Sequence, residues 1–171
     1  MIKLINHINT FSGKISAWFT TVLVVVICLD VVLRYVFNFS SVAFYDTEWH
    51  LFALIFLLGA GYTLQSDRHV RVDVFYSKFS EKQKALVNLI GCVFFLFPFC
   101  LIVIKAGIPY VEVSFNMNEK STDPGGLPYR FLIKSFIVVG FALLLLQGLV
   151  VVGESFRIVF GKGKSQQPVK G

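Results

Sequence analysis

Residues 85–104 and 135–153 contain no Asp, Glu, Lys or Arg and are dominated by Val, Ile, Leu and Phe. About 20 such residues in a helix cross roughly 30 Å of hydrocarbon, with every backbone polar group paired internally. Two further stretches share the character. Residues 51–66 are uncharged and gain length by reaching back toward Asp46. Residues 15–29 are uncharged too, and span only by continuing through Asp30 and Arg34 to about residue 37. With 56% hydrophobic residues, 15% charged and a mean hydropathy of +0.72, the chain carries more apolar material than one soluble core of 171 residues can bury.

The expected fold is therefore an all-α integral membrane protein with four transmembrane helices, at about 15–37, 43–66, 84–106 and 131–155. One membrane domain covers 1–160, with an inner connection at 67–83 and an outer loop at 105–130. Lys3 and Lys14 precede the first apolar run as in a signal peptide, but no A-x-A-like cleavage site follows, so the run reads as a retained span after a short amphipathic lead. Of the 16 Lys and Arg, Arg34, Lys105, Lys120, Arg130 and Lys134 fall on the outer side if the N-terminus is inside, and the other eleven fall on the inner side. That bias predicts both termini in the cytoplasm. The net charge of +6 then faces anionic phospholipid headgroups and does not imply a nucleic-acid partner.

The stretch "LQSDRHVRVDVF" gathers Asp67, Arg68, His69, Arg71 and Asp73 on the inner connection. Asp67 with Arg71 and His69 with Asp73 are i, i+4 pairs, each worth a few tenths of a kcal/mol on an exposed helix, so their larger effect is to hold this turn on the cytoplasmic side. Val72, Phe75, Tyr76 and Phe79 recur at one-face spacing and predict a short interfacial amphipathic helix between helices two and three. "SEKQ" at 80–83 reads as a capping box opening helix three. The tail "GKGKSQQPVKG" at 161–171 has the composition of a disordered segment.

Within the spans, Asp30 and Arg34 lie four apart, and each costs about 3 kcal/mol at mid-bilayer if left alone. They are expected to pair; Arg34 either snorkels outward or also faces an acidic patch on an outside partner. In "YDTEWHLF", Asp46, Glu48 and His50 open helix two, where acids complement the helix dipole and Trp49 suits the headgroup level. Gly59, Ala60 and Gly61 in helix two, and Gly140 and Gly148 in helix four, allow close helix packing, within the bundle or against a partner. Pro98 predicts a kink in helix three. Cys28, Cys92 and Cys100 read as small packing residues.

Transport of polar cargo needs intramembrane ligands or a relay, and these spans hold little that is polar beyond Asp30 and Arg34. His7, His50 and His69 lie near helix ends or outside them, which suits neither haem nor a metal, and no nucleophile set appears; no cofactor, metal site or enzymatic activity is expected. An accessory subunit that packs against other proteins remains. The alternative is a small multidrug-type proton-coupled exporter using Asp30, whose relatives have tighter loops.

The order of "CLDVVLRYVF", "TEWHLF", "LLGAGYTLQSDRHVRVDVF" and "STDPGGLPY" resembles the small membrane subunit of tripartite ATP-independent periplasmic (TRAP) transporters, the DctQ-like family, over about residues 6–157. The most specific run is Gly59, Ala60, His69, Val72 and Asp73. The resemblance implies a multi-pass protein of the bacterial inner membrane that does no chemistry. It would scaffold a large sodium-coupled elevator subunit, expected as a separate chain because this one ends after helix four, while a periplasmic substrate-binding protein delivers an organic anion. Sialic acid is favoured as cargo and a C4-dicarboxylate competes. It further implies that His69 and Asp73 fix the inner turn, and that Arg34, Tyr35, Pro128 and Tyr129 are contacts for the binding protein.

Overall fold

The computed structural model describes residues 2–66 and 79–160. The five inner-turn residues, most of the expected interfacial helix and the tail at 161–171 lie outside the described residues. The described chain is all-helical: α1 (Ile2–Val36), α2 (Val42–Gln65), α3 (Glu81–Gly91), a π-helical segment (Cys92–Leu96), α4 (Phe97–Asn116) and α5 (Arg130–Phe160). Counting Glu81–Asn116 as one span, four helices are long and apolar enough to cross a membrane.

Local chemistry sets the ends of these helices. The lead and the first span are one helix, which stops where Asn38 enters the left-handed region (φ 50°) and the Phe39 N–H turns back to the Leu33 carbonyl at 3.0 Å. Ser41 caps α2, its hydroxyl accepting from the Ala43 N–H. Ser80 and Gln83 form the capping box of α3, the Ser80 N–H donating to the Gln83 side chain at 2.8 Å. Ahead of Pro98, the Phe97 N–H reaches the Cys92 carbonyl five residues back, and this wider turn accommodates a proline that has no N–H and whose ring crowds the preceding turn.

The outer loop is shorter than expected. The expected loop began at Lys105, yet α4 continues through it and through Pro109 to Asn116. Proline is tolerated in spans whose neighbours supply the missing packing. The helix ends instead at Asn118 (φ 49°), whose N–H bonds to the Phe115 carbonyl while the Glu119 N–H bonds to that of Ser114, a Schellman termination.

The helices form a row. α1 packs on α2, α2 on α5, and α5 on both α3 and α4; α1 also touches α5 to a lesser extent. Alternating direction makes the two central helices, α2 and α5, parallel neighbours. We call the end that carries the 37–41 turn and the 117–129 loop the loop end, and the opposite end the terminal end. Glycines set the spacing along the row: a Cβ on Gly140 would lie 2.8 Å from the Leu57 carbonyl oxygen, one on Gly148 2.7 Å from Leu96 Cδ2, and one on Gly59 3.0 Å from the Ser16 hydroxyl. Gly61 backs onto Asn9, and Gly13, which the sequence reading passed over, receives the Tyr62 ring.

Polarity is arranged inside out. Trp18, Phe94 and Phe95 are 67%, 70% and 74% exposed, whereas Asn9, Ser12, Ser16, Asp46 and Gln147 are buried. In α1 the buried stripe is Ile5, Asn9, Ser12, Gly13 and Ser16, and Leu4, Phe11 and Trp18 point away from the bundle. Hydrocarbon accepts the apolar side chains at no loss, while polar groups find partners only inside.

Candidate interaction surface

Two polar clusters hold the row together, one near each end. Toward the terminal end, the Asn9 amide donates to Gln147 Oε1 at 2.9 Å and to the Ile5 carbonyl, and the Gln147 amide donates to Asn6 Oδ1 at 3.2 Å. Ser12 and Ser16 donate to the Leu58 and Ile55 carbonyls at 2.9 and 2.8 Å, and Thr10 meets Gln65. Small side chains are needed here because α1 lies close enough to α2 for its hydroxyls to reach backbone. The sequence reading missed this cluster; its available signal was a lone Gln inside an uncharged run, matched by Asn9, Ser12 and Ser16 at helical spacing.

Asp46 organises the loop end. Because α2 begins at Val42, Asp46 lies beyond its first turn and is not the dipole partner the sequence suggested. Its carboxylate, buried at 2% exposure, accepts the Leu127 N–H at 2.9 Å and the Trp49 indole N–H at 3.1 Å. His50 Nδ1 contacts the Asp46 carbonyl. Gly126 sits between Ser121 and Asp46 with no space for a Cβ, which accounts for a glycine within "STDPGGLPY". Backbone bonds from Ser121 N–H to the Leu127 carbonyl and from Arg130 N–H to the Glu119 carbonyl, both 3.0 Å, close the loop.

Ion pairing joins this loop to α5. Lys134 Nζ donates to Glu119 and lies 4.0 Å over the Tyr110 ring, and the Arg130 guanidinium lies 5.5 Å over the Trp49 ring. The hydrogen bond from Lys134 is the main cause holding the Glu119 carboxyl below its ordinary range.

Arg34 donates to Asp30, so this acid, 3% exposed, is not a free carboxylate. That counts against its use as an exporter's coupling acid. Tyr35 is 77% exposed and Pro128 and Tyr129 are exposed. Both pairs lie at the loop end, but among the described residues no hydrogen bond, ion pair or ring contact links them. Tyr129 holds a positive φ of 62°, where a bulky side chain is rare, directly before α5. Apart from the Asp30–Arg34 pair within α1, the polar side chains described above join helices or fasten the loop, and the broad exposed surface of the row is mainly apolar. Such a body can pack against other membrane-embedded protein and present a rigid loop end to the aqueous side.

Comparison with known proteins agrees with this picture. The family model described as tripartite ATP-independent periplasmic transporters, DctQ component, matches residues 23–158. No curated protein and no solved structure matches the chain.

Proposed function

The chain belongs to the DctQ component family of tripartite ATP-independent periplasmic transporters, and from that premise we propose that it scaffolds a large sodium-coupled elevator subunit and helps dock a periplasmic substrate-binding protein. The family makes it a small permease subunit of a multi-pass inner-membrane transporter, a class that performs no catalysis. On our reading its row of helices supplies a fixed wall for the moving subunit, both termini lie in the cytoplasm, and the loop end faces the periplasm, where Arg34, Tyr35, Pro128 and Tyr129 meet the binding protein. His69 and Asp73 hold the inner turn. The cargo is an organic anion, sialic acid ahead of a C4-dicarboxylate.

One observation supports the scaffold role above others. Polar side chains in the spans are taken up inside the bundle, Asn9 with Gln147 between helices and Asp30 with Arg34 within α1, so the outward surface is mainly apolar and suited to a partner. Reconstitution tests it. Liposomes holding this chain alone are expected to take up neither anion, while liposomes with the co-purified large subunit and the binding protein show sodium-dependent uptake. Uptake by the lone chain, or full uptake by the large subunit without it, contradicts the proposal.

A further inference from the structure

Both α2 and α4 pack on α5, and they make no substantial contact with each other, which leaves a groove between them at the loop end. Its volume is about 240 Å³. The floor and walls toward the bundle centre are apolar, formed by Ala53, Leu57, Ile133 and Ile137, and the rim toward the loop carries Trp49, Tyr110, Glu119, Arg130 and Lys134. The rim lies where the uncharged runs of α2 and α5 begin and beyond where that of α4 ends. Aromatic and basic residues at that height belong to the headgroup layer.

We propose that this groove is a site for one zwitterionic phospholipid, its phosphate held by Arg130 with Lys134 and its acyl chain laid along Leu57 and Ile137. Three features select that occupant. The Arg130 guanidinium stacks on Trp49 and has no carboxylate in ion-pair contact among the described residues, so its fork of donors is available to a phosphate. At the rim Lys134 pairs with Glu119 and Arg130 stands beside them, so a phosphate can meet the guanidinium while a headgroup ammonium meets the Glu119 carboxylate, which favours a headgroup carrying both charges over a purely anionic solute. The groove is too small for a whole lipid and continues into an exposed apolar helix surface, so the headgroup seats inside while the tails follow the helices.

The chain has two tryptophans, Trp18 and Trp49, so the full chain carrying Trp18→Phe reports on the groove through Trp49 alone. In detergent, titration with acyl-brominated phosphatidylethanolamine is expected to quench Trp49 saturably, with one lipid per chain. Arg130→Gln should raise the midpoint about tenfold, the loss of one charge-assisted phosphate contact, and Ala53→Phe should weaken binding by obstructing the apolar wall. Brominated diacylglycerol with the same chains should not saturate, and free phosphoethanolamine should not compete. Non-saturable quenching, equal quenching by diacylglycerol, or a midpoint indifferent to both variants overturns the proposal. Competition by free phosphoethanolamine would assign the rim to a soluble ligand, and release of the lipid on assembly with a large subunit would assign the groove to protein; either also overturns it.

Discussion

Replacing Gly140 by Ala tests the packing of the two central helices at the point where it is tightest. The added Cβ meets the Leu57 carbonyl oxygen at 2.8 Å and the Leu57 carbonyl carbon at 3.1 Å, whereas ordinary contact begins near 3.4 Å. The obstacle is backbone, which cannot rotate aside, so α2 must recede from α5 by about half an ångström. A gap of that size forfeits a quarter to a half of the dispersion energy of the contacts it opens, and overpacking of this kind costs about 1–3 kcal/mol. Alanine also gains about 1 kcal/mol over glycine within a helix. Gly153→Ala in the same helix isolates that gain, because its Cβ meets nothing within 4 Å. The difference between the two variants is thus the packing cost alone, about 1–3 kcal/mol, or roughly 3–10 °C in melting temperature for a chain of this size. Thermal unfolding in detergent, followed by tryptophan emission, reads it. Leu57→Ala should not rescue Gly140→Ala, since the clashing carbonyl remains. Equal melting temperatures for the two alanine variants would refute the close approach of α2 and α5.

The amide joint between α1 and α5 should appear as a coupling of about 0.6 kcal/mol, and at most about 1.7, in a double-mutant cycle of Asn9→Ala and Gln147→Ala, the range for polar contacts inside membrane bundles; additive effects in the unfolding assay would show that the joint contributes nothing. The 117–129 loop should loosen in acid. Because the Glu119 carboxyl is held below its ordinary value of 4.5 by Lys134, its contribution is complete above that value and is lost as pH falls through the lowered one. A spin label at Thr122 in a cysteine-free chain should gain mobility only as pH falls below the ordinary carboxylate range, and Glu119→Gln should be mobile at every pH; a label as still in Glu119→Gln as in the parent at neutral pH contradicts this.

Helix number and the class of protein were legible in the apolar lengths, because hydrocarbon thickness sets a scale that composition reports directly. The interior was harder to read, for one physical reason. In water a buried face is apolar, so by that rule Asn9, Ser12 and Ser16 carry no signal of an interior; in lipid those residues face inward. Asp46 reads as an acid near the start of helix two, but its partner, the Leu127 N–H, is supplied by a loop 81 positions away that no local pattern announces. The end of α4 was missed because the uncharged run stops before Lys105, whereas the helix stop depends on Asn118 adopting a left-handed backbone. By contrast, the capping box at Ser80 and Gln83 depends only on neighbours in sequence and was visible there.

The π-helical segment at Cys92–Leu96 amounts to one residue more than a plain helix would use between the same two points. Excising Phe94 would let the turn relax to ordinary winding between the same two points, so everything downstream would keep its rotation and height. Tyr110 would stay by the Lys134 ammonium and Phe115 by Phe131, whereas a deletion within the plain winding that follows would swivel both by about 100° and draw them back by about 1.5 Å. The odd winding therefore absorbs a residue without passing a change of phase to the far half of its span, and a single-codon deletion there should be far less disruptive than one at 99–104.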